Sequence, residues 1–345
     1  MKEFIAGKNE AGQRLDKLLC KYLPNAPKSF IYKMLRKKNF TVNGKKAAGS
    51  EIVQKQDVIR LYLSDETYEK FSVPANRTPE IKQYPADRQY PITKQYPVTS
   101  LDIIYESKDY IVINKPAGML SQKAGKEDIS ANEYLIGYML EQEQITPEEL
   151  QVFHPSVCNR LDRNTSGLLI FGKTLHGLQT MAESLKTRTF GKYYWCLAEG
   201  RIEKPQKISG YLKKDKKSNQ VTVTAGKRKG GKNEAEGSYI ETEYVPLKNY
   251  RHYTLLEVHL ITGKPHQIRA HLSEQGHPLA GDRKYGGSAD ILTKKGNVRL
   301  SGQFLHAKRL EFADGTVLEA PLPERLEEIL NMLEEMPIRE NLKKM

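Results

Sequence analysis

The most chemically loaded stretch of the chain is Arg160-Leu161-Asp162-Arg163-Asn164-Thr165-Ser166-Gly167, which runs into the apolar Leu168-Leu169-Ile170-Phe171. Two flanking arginines would hold Asp162 ionised, and an ionised carboxylate can serve as a nucleophile or a base. The same spacing fits a surface cluster of ion pairs, so the residues alone leave both readings open. A second stretch, Thr262-Gly263-Lys264-Pro265-His266-Gln267-Ile268-Arg269-Ala270-His271-Leu272, carries cations and two histidines. His266 and His271 are five apart with no third ligand nearby, so metal catalysis has no support. Gly226 to Lys232 fits the GxxxxGK spacing of a phosphate loop, but Asn233 stands where a magnesium-binding Ser or Thr is required. It reads as a basic hairpin loop able to touch phosphates, not as a nucleotide site. Cys20, Cys158 and Cys196 form no CxxC pair, which excludes a disulfide scaffold and suits a reducing cytoplasm.

The elements that must position these residues are legible in outline. With 345 residues, 38% hydrophobic and 28% charged, the chain is globular and can bury a substantial core. Its apolar runs, such as 110–114 and 167–171, are far shorter than the roughly 20 residues a membrane span needs. The N-terminus has no apolar h-region, which argues against export and for the cytoplasm. From Leu101 onward strands are expected at 103–105, 110–114, 168–171, 193–198 and 255–260, with helices at 175–185 and 266–275. Leu326, Ile329, Leu330 and Leu333 recur at helical spacing, giving an amphipathic terminal helix within residues 322–345. Strands and helices without a steady βαβ rhythm indicate an α+β fold over residues 101–321.

The charge is uneven. The net +13 includes 14 Lys/Arg against 5 Asp/Glu in residues 1–63, or +9 in less than a fifth of the chain. Such asymmetry points to a polyanion, most often nucleic acid, although a solvated lysine-rich surface would look the same. Within this segment Leu15, Leu18, Leu19, Tyr22 and Leu23 share a helical face that ends at Pro24. Ser29 reads as the N-cap of a second helix through Ile31, Met34 and Leu35, with the basic tail Arg36-Lys37-Lys38. Asn43-Gly44 signals a tight hairpin. Residues 64–100 then read as an extended linker: Lys82-Gln83-Tyr84-Pro85, Arg88-Gln89-Tyr90-Pro91 and Lys94-Gln95-Tyr96-Pro97 repeat one unit, and each proline restricts its tyrosine to extended conformations.

Two resemblances organise these readings. The Gln13-Arg14-Leu15-Asp16-Lys17-Leu18-Leu19 opening, the basic second helix and the Val42-Asn43-Gly44 turn resemble the alpha-L RNA-binding domain. The Asp162 segment resembles the RLDxxTSG motif of RluA-type pseudouridine synthases, whose aspartate is catalytic. Their other motifs follow in order: Asn114-Lys115-Pro116-Ala117-Gly118, then Lys192 to Gly200 resembling KxYxAxVxG, then Thr262 to Leu272 resembling TGRxHQIRxHL, then Gly276 to Asp282 and Leu305-His306-Ala307. Cys196 and Glu199 leave the second pattern. Asn159 stands where the family usually has His, and Lys264 where it usually has Arg, which puts substrate details in question.

The resemblance implies an α+β catalytic domain with a mixed, mainly antiparallel sheet, preceded by a small basic α+β RNA-binding domain. It implies an isomerase that turns uridine into pseudouridine in RNA, most often large-subunit ribosomal RNA. Asp162 would be the essential carboxylate and Arg269 its ion-pair partner. Tyr194 would pack on the flipped uracil and could serve as a general base. Arg160, Thr165, His266 and Gln267 would bind substrate, with Arg160 filling the space left by the extruded base. Arg14, Lys17, Lys33, Arg36 and Lys37 would bind RNA phosphates through the N-terminal domain. No atom is gained or lost in the reaction, so no cofactor is expected, and no membrane or nucleotide partner either. The working expectation is a monomer, since no sequence feature sets an oligomeric state. Transfer RNA as substrate, or a non-catalytic RNA-binding role in ribosome assembly, remains open at this point.

Overall fold

The computed structural model describes residues 1–72, 95–214, 221–224 and 237–333. The first described stretch builds a small unit around its own core. Helix α1 (Leu15–Tyr22) buries Leu15, Leu18 and Leu19, and α2 (Lys28–Arg36) buries Ile31, Met34 and Leu35, as the apolar spacing requires. The second helix starts one residue before Ser29. Pro27 takes the N-cap position, and no side chain caps the helix. Strands β1 (Lys2–Ile5), β2 (Phe40–Val42), β3 (Lys45–Lys46) and β4 (Val58–Leu61) form a sheet in the order β1-β4-β2-β3, antiparallel throughout. Asn43 and Gly44 have φ of 50° and 72°, the paired left-handed residues a two-residue hairpin demands.

The extended reading of residues 64–100 fails at both described ends. Helix α3 (Asp65–Ser72) folds back on the small unit, with Tyr68 facing Phe4 at 6.5 Å and Phe71 against Phe30 at 4.5 Å between ring centroids. Two partly buried aromatic contacts outweigh the polar composition that suggested a spacer. At the far end Tyr96 is buried in the larger core, and its backbone passes so close to Gly137 that a side chain there would collide with it. The first two Tyr-Pro repeats and the glycine-rich 226–232 loop lie outside the described residues.

The larger unit opens with β5 (Ile103–Glu106), β6 (Tyr110–Lys115), β7 (Ser156–Val157), β8 (Ser166–Gly172), β9 (Gly191–Glu199), β10 (Gln206–Lys214), β11 (Val221–Thr224) and β12 (Ser238–Asn249). β13 (Tyr253–Leu260), a separate hairpin β14 (Asp290–Thr293) and β15 (Gly296–Arg299), β16 (Leu305–Glu311) and β17 (Val317–Glu319) complete it. Among the described residues the main sheet runs β11-β10-β12-β13-β9-β16-β8-β6-β5, with β7 on β8 and β17 on β16. Every ladder is antiparallel except β16 with β8. This is the mixed, mainly antiparallel α+β sheet expected. Helices α4 (Ala131–Glu141), α5 (Pro147–Val152), α6 (Leu175–Thr187), α7 (Gln267–Glu274) and α8 (Glu324–Met332) pack around it.

β8 is buried at every residue, which explains its unbroken apolar run: neighbours cover it on both faces. Gly167 is needed where β8 meets β16. Its φ is 105°, and a side chain would run into the Ala307 backbone. Ser130 and Glu133 form a capping box that starts α4, while Ile329 and Leu333 anchor α8 in a separate cluster. The small unit is docked on the large one, since Val152 of α5 belongs to the small unit's core and Gly12 lies against Leu175.

Candidate active site

Asp162 sits on the loop that leads into β8, an interior strand between β16 and β6. That loop is pinned residue by residue. The Ser121 hydroxyl accepts from Leu161 N at 3.0 Å and donates to Leu161 O at 2.9 Å. The Lys115 ammonium, wholly buried, donates to the carbonyls of Pro116, Met119 and Arg163 at 2.9, 2.8 and 3.2 Å. Burial pulls this lysine down to about 7, and the Asp162 charge works against that shift. Beyond the aspartate, Thr165 N bonds to Asp162 O at 3.0 Å, and the Ser166 hydroxyl meets His306 Nδ1 at 2.9 Å. The carboxylate therefore projects from a rigid backbone with its side chain still 25% exposed.

Arg269 reaches it from α7. Its Nη1 donates to Asp162 Oδ2 at 2.7 Å, while Nε and Nη2 grip the buried Asp282 at 2.6 and 2.8 Å. Burial lowers the guanidinium's pKa, but the Asp282 and Asp162 carboxylates outweigh burial and raise it. Arg269 also lies over the ring of Tyr285, at 4.9 Å. His266 is the residue just before α7, left-handed at φ 55°, with Nε2 3.9 Å from Asp162 Oδ1. Burial lowers its pKa, opposed by the Asp162 charge.

Tyr194 points from β9 into the same region, flanked across the ladders by Val258 and Ala307. Burial, and then the nearby Asp162 charge, raise its phenol. Tyr194 therefore rests as a neutral phenol packed beside Asp162. Two residues earlier on the strand, the half-buried Lys192 has its ammonium against Gly263, with no ion pair or side-chain hydrogen bond among the described residues. Burial lowers its pKa, with the Arg188 charge adding to the shift.

Two expected substrate contacts are corrected. Thr165 is buried, and its hydroxyl accepts from Gln303 Nε2 at 3.0 Å. Gln267 is buried with its amide saturated: Oε1 accepts from Thr262 and Lys264 N at 2.8 and 3.1 Å, and Nε2 donates to Glu241 O and Thr242 at 3.0 and 2.9 Å. Four bonds leave that amide nothing to offer a substrate. It pins α7 to β12 instead, and so aims Arg269. Asn159 has a similar duty, its Oδ1 accepting from Ile170 N at 2.8 Å on β8. This departure from the usual histidine is spent on backbone, not on substrate.

Arg160 is exposed and makes no ion pair among the described residues, while Lys264 is exposed at the start of its motif. In the small unit Lys17, Lys33, Arg36 and Lys37 are all exposed. Arg14 is bound in place, with Nη2 3.0 Å from Asp16, which also accepts from the Tyr32 hydroxyl at 2.7 Å and Lys17 N at 2.9 Å. The Arg14 hydrogen bond leads in holding Asp16 down to about 2.

Sequence reasoning missed Asp282, Tyr285, Ser121 and the burial of Lys115. Asp282 and Lys115 each lay inside a recognised motif, which was the available signal. Among the described residues no cluster of three or more His, Cys, Asp or Glu could hold a metal, and no helix is long and apolar enough to cross a membrane.

Comparison with known proteins matches two families to this geometry. Residues 109–274 match RNA pseudouridylate synthase, and residues 13–59 match the S4 domain. Ribosomal large subunit pseudouridine synthase C of Pasteurella multocida is 30% identical, over 97% of this chain and 94% of that protein. Ribosomal large subunit pseudouridine synthase D of Nitrosomonas europaea is 29% identical, over 97% and 88%. The solved structure of human RNA pseudouridylate synthase domain containing 4 shares the fold, with a TM-score of 0.53 at 22% identity, covering 68% of this chain and 94% of that one.

Proposed function

The chain belongs to the RNA pseudouridylate synthase family, and from that premise we propose that it converts uridines of large-subunit ribosomal RNA to pseudouridine in the cytoplasm, with Asp162 as the essential carboxylate. The reaction breaks the N-glycosidic bond, turns the uracil and rejoins it through carbon five, so every atom of the substrate is kept. The observation that carries the role of Asp162 is its bond to Arg269. One oxygen is held at 2.7 Å while the side chain stays partly exposed on a pinned loop, which leaves the carboxylate oriented and reachable.

Tyr194 offers a flat, buried face beside Asp162 for a uracil taken out of its stack, a step that costs a few kcal/mol. Arg160, exposed and without an ion pair among the described residues, supports the reading that it occupies the vacated space. The exposed cations of the small unit support phosphate contacts, which bring affinity and carry little sequence information. The ribosomal substrate is supported by the names of the relatives that align along nearly the whole chain.

The test is a map of pseudouridine, by carbodiimide modification and reverse transcription, in RNA from a deletion strain rescued with the natural gene or with Asp162→Asn. We expect stops in large-subunit ribosomal RNA to vanish on deletion and to return only with the natural gene. Stops lost from transfer RNA instead would overturn the substrate while leaving the enzyme class. Rescue by Asp162→Asn would overturn the role of Asp162.

A further inference from the structure

Tyr285 touches the site from behind, and none of the catalytic motifs read from the sequence includes it. Its hydroxyl meets His266 Nδ1 at 2.8 Å and accepts from Val221 N of β11 at 3.1 Å. Its ring lies under Arg269, and its carbonyl accepts from the Ser273 hydroxyl of α7 at 2.7 Å. The side chain thus ties together β11, α7 and both residues that face Asp162.

Hydrogen-bond accounting favours one placement of the protons. A phenol has one proton to give, and its oxygen accepts. The Val221 N–H can only donate, so it takes an accepting position on the Tyr285 oxygen. If His266 Nδ1–H donated to that oxygen as well, the phenol proton would have no acceptor among the described residues. With the phenol donating to Nδ1, the phenol proton, the Val221 N–H and Nδ1 are all paired and only Nε2 is open, whereas the other tautomer leaves both the phenol proton and Nε2 without a partner among the described residues. Nδ1 is then the unprotonated nitrogen, and the imidazole carries its proton on Nε2. That nitrogen is 3.9 Å from Asp162 Oδ1, too far for a hydrogen bond, and it has no other bond among the described residues. The donor is left open toward the space beside the carboxylate.

We propose that Tyr285 is a positioning residue that fixes His266 as its Nε2–H tautomer, so that His266 donates a hydrogen bond to an oxygen of the uridine held at Asp162. The second half rests on the uridine-isomerising function proposed above; the first half does not. Supporting His266 through its other ring nitrogen is the physical device by which a tautomer is usually set.

The test uses the full-length protein. Nitrogen-15 NMR of the imidazoles, without RNA, should show His266 protonated on Nε2 and bare on Nδ1. In Tyr285→Phe the ring under Arg269 is kept and only the hydroxyl is lost, so the two tautomers should mix. Turnover of a large-subunit ribosomal RNA fragment should then fall about tenfold in kcat with KM little changed, the scale of one lost hydrogen bond. His266→Gln, whose amide nitrogen can reach the Nε2 position, should keep most activity. His266→Asn, whose amide overlays Nδ1, should fall as far as Tyr285→Phe. A proton found on Nδ1 in the natural protein overturns the tautomer assignment. Equal losses in the Gln and Asn variants, or mixed tautomers with unchanged kcat, overturn the donor role. If the natural protein leaves this RNA unmodified, the ribosomal reading fails, and the RNA-free spectra still decide the tautomer.

Discussion

Arg269 binds Asp282 with two of its nitrogens, at 2.6 and 2.8 Å, and keeps only the third for Asp162. Asp282 is almost wholly buried, whereas Asp162 is partly open to solvent. The guanidinium is therefore fixed by a structural carboxylate and presented to a reactive one. A bidentate grip sets both its position and its plane, which a single bond would leave free to swing.

Asp282→Asn keeps the shape and removes the charge with one accepting position. The expected cost is about 2 kcal/mol, the scale of a hydrogen bond to a charged group. A urea titration should show it as a lower midpoint at unchanged slope. Turnover should fall with RNA affinity preserved, because the exposed cations proposed to bind phosphate lie in the small unit. An unchanged midpoint would mean that Asp282 is not what holds Arg269.

Arg160→Ala should separate base extrusion from chemistry. Arg160 is exposed and unpaired among the described residues, so its removal leaves no protein group stranded. Stability should stay within about 0.5 kcal/mol of the natural protein. Activity should drop most on structured RNA and least on a flexible strand, where the uracil is already unstacked. Parallel losses on both substrates would sink the extrusion role.

Removing the basic unit should flatten the salt dependence of RNA binding while the site survives. The cut belongs after Ser72, not after residue 63, because Tyr68 and Phe71 of α3 would otherwise be stripped of Phe4 and Phe30. Each lost phosphate contact should lower the slope of log affinity against log salt by about one. The cut also uncovers Val152, so the truncated protein should be somewhat less stable than the parent. Identical salt slopes for the two proteins would assign the +9 segment another task.

Acid should loosen the loop that carries Asp162 through His306. This imidazole is fully buried between β8 and the Ala320 carbonyl, and burial brings it down from 6.5 to about 4. Between those values the unfolded chain takes up a proton that the folded chain refuses, so stability falls as pH drops through the window. At about 1.36 kcal/mol per unit, the loss below both values approaches roughly 3 kcal/mol. His306→Gln should melt lower at neutral pH and show a shallower acid slope. A slope untouched by the substitution would remove His306 as its source.

Local chemistry was written in the sequence. The apolar spacing of 15–23 gives α1, Asn43-Gly44 gives its hairpin, and the unbroken 168–171 run gives the most buried strand, because each depends on residues within one or two turns of one another. Motif resemblance added Asp162, Arg269 and Tyr194 as a set, and the fold does bring them together. Burial was not legible. Thr165 and Gln267 have polar side chains in the right motifs, yet each bonds to protein groups far away in sequence, Gln303 and Thr242 among them. Residues 64–72 read as spacer by composition, and only the apolar rings waiting on β1 and α2 make them a helix with a packed face. Asp162 and Arg269 are 107 residues apart, and the carboxylate that aims Arg269 lies 13 residues beyond it. Which polar group faces substrate and which is spent on another is decided by that long-range closure, since a hydrogen bond is satisfied in space and not along the chain.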